Sequence, residues 1–223
     1  MPRNWRDPLP LFVIEFSLVA AIFIADAHHL IPVSKTPELV LLGWISLRVR
    51  KMRWRDVGLS IKHPFLKVVL LGVAGGIGIE LIELYVTQPL LIRMTHQPPD
   101  LSDFAALRGN LKLTCVALAL TWTLAAFGEE MAWRGWLMNR VADLGHRSQV
   151  AWAASLVLVN AAFGVAHAYQ GVTGIIDEGF MGVLLGLMYL FGGEDLWIPI
   201  FAHGVQDSID VLLLYSGHYP MPK

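Results

Sequence analysis

The chain is short of charge. Only 16% of its 223 residues are Asp, Glu, Lys or Arg, against about a quarter in soluble domains. That shortage excludes an ordinary soluble domain, because the 55% of hydrophobic residues come in long uninterrupted blocks. A net charge of −1, with no basic patch interleaved with aromatics, gives no support to a nucleic-acid partner. The single cysteine, Cys115, rules out an internal disulfide, and inside an apolar run it reads as a small buried hydrophobe. No repeat or low-complexity tract is present and nothing suggests a second domain. Residues 1–223 therefore read as one integral membrane domain, an all-α polytopic bundle.

What is abundant is helix of membrane length. Seven helices are expected near 9–27, 37–50, 65–93, 111–144, 149–168, 178–191 and 196–215, and about seven spans with them. Thr36 is placed to cap the second helix, with Pro37 at its first position. The longest polar connection, "RMTHQPPDLSDFAALRGN", contains Pro98 and Pro99, which no helix interior tolerates. The N-terminus imitates a signal peptide, with Arg3 and Arg6 before an apolar run and "ADA" at 25–27. Glu15 interrupts that run, so an uncleaved first span is expected. Arg48, Arg50, Lys51, Arg53 and Arg55 cluster after the second helix. Positive charge stays inside, so this loop and the N-terminus are assigned to the cytoplasm and the 93–110 connection to the outer side.

Charge inside such helices is costly and marks function or a partner. Glu15 stands alone in the first helix. Glu80 and Glu83, three apart and so on one face, are expected to line a cavity or bond a neighbouring helix. His28, His29, His63, His96, His146 and His218 fall in loops or near helix ends and read as solvated. Three segments differ: "EEMAWR" at 129–134, "FGVAH" at 163–167 and "HGVQD" at 203–207. Any one alone is a weak signal. Counting 1.5 Å per residue from the turns between the helices, Glu129, His167 and His203 reach a similar depth, so the three segments are expected to converge.

Spacing divides the roles. Glu130 and Arg134 are four apart in the favourable order for a helical ion pair and read as scaffold. Glu129 is turned about 100° away and faces another helix. His203 and Asp207 are also four apart, which lets the aspartate accept a hydrogen bond and fix the imidazole tautomer. Gly164 and Gly204 permit close approach of neighbouring helices. A carboxylate beside two imidazoles suits water activation, since desolvation makes a carboxylate a stronger base. The same trio could instead hold a zinc ion with an open water position. Either arrangement points to hydrolysis. A transporter would use similar intramembrane polar groups, but the chain lacks both a repeat and a Gly/Pro-broken helix pair.

In this order on successive helices, the three motifs resemble those of the CAAX protease and bacteriocin-processing family of intramembrane proteases, also called Abi or Rce1-like. The family pattern is EExxxR, FxxxH and HxxxN or HxxxD, and Gly135 after Arg134 fits its habit of "RG". The likeness covers roughly 111–215, the motif-bearing core. It implies an intramembrane endopeptidase acting on a membrane-associated protein or peptide. It also implies Glu129 and His167 as the water-activating pair, His203 and Asp207 as oxyanion stabilisers, and Glu130 and Arg134 in support. Zinc or a metal-free glutamate mechanism is implied alike. Asp207 departs from the asparagine of eukaryotic-type members: an ionised aspartate cannot donate to an oxyanion. A compact chain resembles prokaryotic members of the cell membrane, some of which serve bacteriocin maturation or, as degenerate scaffolds, immunity. The loop charges put the site toward the outer half of the membrane, whereas CAAX processing needs cytosolic access.

Overall fold

The structure, a computed structural model, describes residues 9–32 and 34–220. Arg3 and Arg6, counted above as cytoplasmic charge, lie outside the described residues. Every regular element among the described residues is helical. We label them α1 Leu9–Ala27, α2 Thr36–Val49, α3 Phe65–Thr95, α4 Leu111–Leu144, α5 Gln149–Ala166, α6 Gly171–Phe191 and α7 Trp197–Ser216. Short 3₁₀ turns at Trp54–Val57, Ser102–Leu107 and Ala168–Gln170 punctuate the connections.

Seven long helices form, but the expected seven spans are not all of bilayer length. Five segments are long and apolar enough to cross: α1, α3, α4, α5 and Ala168–Phe191, which is α6 with its leading turn. With 14 residues, α2 is about 21 Å long, short of a hydrocarbon core of about 30 Å. His203, Gln206, Asp207 and Asp210 dilute the hydropathy of α7. Thr36 is the first residue of α2 rather than its cap, one position from the expectation. The sixth helix begins seven residues earlier than its apolar run suggests. Gly171, Gly174 and Asp177 look like a loop in sequence, yet Asp177 accepts a 2.6 Å hydrogen bond from Thr87 of α3, which satisfies a polar group inside the bundle.

Two helices widen locally. In α3 a π turn covers Glu83–Thr87, just before Pro89. Proline lacks the N–H that would continue the α ladder, and the looser turn absorbs that loss. In α4 the π geometry runs over Thr121–Glu129 and Met131–Met138, the stretch that carries "EEMAWR". Asn139 satisfies carbonyls there, its Nδ2 donating to the backbone oxygens of Arg134 and Gly135, each at 3.0 Å. Widened turns of this kind occur most often at functional sites.

Packing is closest where glycine removes a side chain. Gly72 and Gly76 of α3 lie against Phe201 and Ala202 of α7, so near that a Cβ on either would meet the facing chain. Gly164 brings α5 onto the Ile175 carbonyl of α6, and Gly204 of α7 lies under the Trp122 ring, as a close approach requires. Glu15 is not alone: its carboxylate pairs with Arg140 and ties α1 to α4. Cys115 is exposed, which corrects the buried expectation. Thr114 is the buried residue of that part of α4, and the neighbouring face is turned outward to the lipid side.

The connections sort to two ends. At one end Arg50 pairs with Asp143 at 2.7 Å and Arg147 with Glu194 at 2.8 Å. There the Lys62 amide donates to Asp195 at 2.7 Å. His63 belongs to this network, its Nε2 standing 3.1 Å from the Gly192 carbonyl, so it is half-buried and bonded rather than freely solvated. At the other end the Asp100 amide donates to Gln170 and the Gly109 amide to Tyr215, both at 2.9 Å. Lys35 there donates to the Ala166 carbonyl at 3.2 Å and covers the C-terminus of α5.

Candidate active site

A cavity of about 330 Å³ opens at this second end, opposite the basic loops. Glu129 of α4, His167 at the end of α5, and His203 and Asp207 of α7 all line it. The three motifs, separated by 28 and 35 residues, therefore meet in one place. Glu129 is half-buried, and its Oε1 is 3.4 Å from the Thr36 hydroxyl at the start of α2. His167 follows the last residue of α5. Its Nδ1 is 2.9 Å from the Phe163 carbonyl one turn back. A carbonyl only accepts, so Nδ1 carries the proton and Nε2 keeps its lone pair for the cavity.

Glu130 holds the centre. It is fully buried, and its Oε1 accepts from Arg134 Nη1 at 2.7 Å and meets His203 Nδ1 at 2.9 Å. Arg134 is fully buried as well. Its Nη2 donates to Asn160 Oδ1 at 3.0 Å and to the Gly182 carbonyl at 2.8 Å, and its guanidinium lies 4.7 Å from the Phe163 ring centroid. A buried charge needs such partners, although Arg134 Nε and Glu130 Oε2 are left without one. The expected pair of Glu130 with Arg134 is thus present, and it does more than balance charge: it positions His203. With a carboxylate on Nδ1, His203 presents Nε2 to the cavity.

That arrangement corrects one expectation. The hydrogen bond that orients His203 comes from Glu130, not from Asp207. Asp207 Oδ1 stands 3.6 Å from His203 Nε2, beyond hydrogen-bond distance. The i,i+4 spacing puts the two on one face of α7, but a contact across helices supplies the bond.

Sequence reasoning did not single out several residues around the site. Asn160 precedes His167 by seven residues, two helical turns, so its place on the same face of α5 was readable. Glu178, the first residue of the expected sixth helix, lines the cavity and accepts from Gln170 Nε2 at 3.0 Å. Thr36 reads only as a helix cap in sequence, since its contact with Glu129 spans 93 positions. Asp210 lines the cavity as well, and Glu83, expected to line a cavity or bond a neighbouring helix, does both.

Glu129, His167 and His203 offer one carboxylate and two imidazoles, and both rings have the remote nitrogen held by an acceptor, as zinc-bound histidines do. By type and outer bonding these residues fit the ion. Their ligand atoms do not cluster as tightly as those of Glu80, Glu83 and Asp210, which among the described residues lie within 4.8 Å of one another.

Bilayer-length helices around a half-open cavity that carboxylates and histidines help to line define an integral membrane protein. Residues 111–209, the segment that holds all three motifs, match the family model described as type II CAAX prenyl endopeptidase Rce1-like. No curated protein and no solved structure matches the chain.

Proposed function

We propose that the protein is an intramembrane endopeptidase that hydrolyses a peptide bond of a membrane-associated protein or peptide. The observation that carries this reading is the lining of one cavity by Glu129, His167, His203 and Asp207, with His203 held from behind by the buried Glu130–Arg134 pair. The Rce1-like match supports the same class of reaction.

In this reading water sits between Glu129 and His167 Nε2. Glu129 takes a proton from the water as its oxygen attacks the scissile carbonyl carbon. The proton passes to the leaving nitrogen as the C–N bond breaks, giving a carboxylate and an amine. A proton on His203 Nε2 is donated to the developing oxyanion, and Glu130 keeps the ring aimed while this happens. Asp207 is an acceptor and acts on His203 rather than on the oxyanion. Arg134 and Glu130 contact neither substrate nor water; they position. If zinc is used, Glu129, His167 and His203 hold it, and it would polarise the carbonyl and acidify a bound water.

The cavity suggests the kind of substrate. Glu83, Glu129, Glu178, Asp207 and Asp210 line it, and among the described residues no Lys or Arg does. Such a lining attracts basic side chains and repels a free carboxylate. Its mouth faces away from the basic loops, so by the positive-inside rule it opens to the outer side. Both features favour an exported or surface peptide over the C-terminus of a cytosolic prenylated protein. The test is cleavage of a membrane-peptide library in proteoliposomes, with Glu129→Gln as control. Cuts near basic residues by the native protein alone support the reading; a library left intact, or cut equally by the variant, overturns it.

A further inference from the structure

A second cluster lies beside the site and takes no part in that chemistry. Glu80 and Glu83 of α3 and Asp210 of α7 each place a carboxylate oxygen within 4.8 Å of the other two. Glu80 is 2% exposed, and no amide, hydroxyl or basic group of the described residues donates to either of its carboxylate oxygens. Its side chain is turned into the cluster, as is Oδ1 of Asp210, also unpartnered. Glu83 is engaged on one oxygen only, by Gln206 Nε2 at 2.8 Å. Three carboxylates at this spacing inside a helical bundle repel one another strongly, and an uncompensated buried charge is far costlier than a paired one. Two other buried glutamates are neutralised by guanidinium groups, at Glu130–Arg134 and Glu15–Arg140. Among the described residues no Arg or Lys pairs with Glu80, Glu83 or Asp210.

We propose that Glu80, Glu83 and Asp210 form a binding site for a hard divalent cation of the calcium, magnesium or manganese class. The ligands are all oxygen, which suits hard ions and disfavours zinc or copper. Calcium–oxygen bonds of about 2.3–2.6 Å span up to about 5 Å between opposite ligands, which accommodates the observed spread. Glu83 and Asp210 line the cavity, so the ion has a route in from water, and water completes its coordination. The ion would clamp α3 to α7 one to two turns beyond the glycine contact of Gly72 and Gly76. Its charge would also offset the most acidic wall of the cavity without touching Glu129 or the histidines.

The experiment uses the full-length protein in detergent, stripped with chelator and dialysed. Manganese binding is read by electron paramagnetic resonance, and melting temperature is read with and without calcium. One manganese bound per chain, displaced by calcium, with a rise of several degrees in melting temperature, is the expected result. Glu80→Gln and Asp210→Asn should each abolish binding and the calcium-dependent rise. Each should also melt higher than the native protein when no ion is present, because one repelling charge is gone. That second readout separates a lost site from a failed fold. His167→Ala should bind manganese as the native protein does, since the trio suited to zinc is elsewhere; this makes the test independent of the protease reading. Absence of stoichiometric binding from pH 6 to 8, as a cluster balanced by protons alone would give, overturns the proposal. So does binding that survives both carboxylate substitutions.

Discussion

Removing Glu130 is the most informative single perturbation. In Glu130→Gln the fully buried guanidinium of Arg134 loses its 2.7 Å ionic partner and keeps only neutral acceptors, Asn160 Oδ1 and the Gly182 carbonyl. Breaking a buried pair by removing one partner costs about 3–5 kcal/mol. The surviving acceptors and the Phe163 face place this case near the lower end, at about 3 kcal/mol. For a chain of this size each kcal/mol lowers the melting temperature by about 2–4 °C, so a fall of about 6–12 °C is expected in detergent. Glutamine can still accept from His203 Nδ1, so the ring keeps its orientation and part of the activity should survive at low temperature. Adding Arg134→Met removes the stranded cation, and the double variant should recover part of the lost stability. The assay is thermal unfolding of the three proteins, with peptide cleavage measured well below each transition. A single variant that melts like the native protein would refute the reasoning. A double variant less stable than the single would do so equally, because no lone buried charge remains in it.

The adjacent glutamate should behave in the opposite way. Glu129→Gln preserves size and the contact with Thr36 while removing the basic oxygen, so cleavage should fall by about 10²–10⁴-fold with the melting temperature held; normal cleavage would take Glu129 out of the mechanism. Asp207→Asn should weaken activity, since the 3.6 Å approach to His203 Nε2 then loses its charge; a clear gain in activity would mean that a donor is wanted there. Gly164→Ala pushes a methyl into the Ile175 carbonyl of α6, and such overpacking costs about 1–3 kcal/mol; unfolding measurements showing no loss would mean that α5 and α6 are less tightly held than described.

Much of this was readable from residues alone, for specific reasons. Long apolar runs fix helices, and the motif residues put ionisable groups at i, i+4 spacings, which a lipid-facing stripe would not carry, so the convergence of Glu129, His167 and His203 on one cavity could be anticipated from helix lengths. What stayed hidden depends on contacts between distant positions. The bond from Glu130 to His203 crosses 73 positions and that from Thr36 to Glu129 crosses 93, and neither leaves a local pattern. The early start of α6 was obscured because polarity signals a loop only when water, rather than another helix, is the partner: Asp177 finds Thr87. Cys115 was misplaced because an apolar run in a bilayer has two apolar surroundings, the bundle and the lipid, and hydropathy cannot tell them apart. The widened turns of α4 carry no signature in composition.

The shortness of α2 has a consequence for the surrounding lipid. Leu41, Trp44 and Ile45 give this helix an outward apolar face, so it meets acyl chains directly, yet at about 21 Å it falls about 9 Å short of a typical hydrocarbon layer. Mismatch of that size is relieved by drawing the leaflets together around the helix. Ser34, just before its first turn, lines the cavity, and Thr36 within that turn contacts Glu129, so the pinch falls beside Glu129. The bilayer itself then shortens the path of water and of an emerging peptide loop to a site that would otherwise be deeply submerged. Turnover in vesicles of short-chain phosphatidylcholine should exceed that in long-chain vesicles at equal substrate density, and a rate indifferent to chain length would show that the helix bundle, not the membrane, supplies the water.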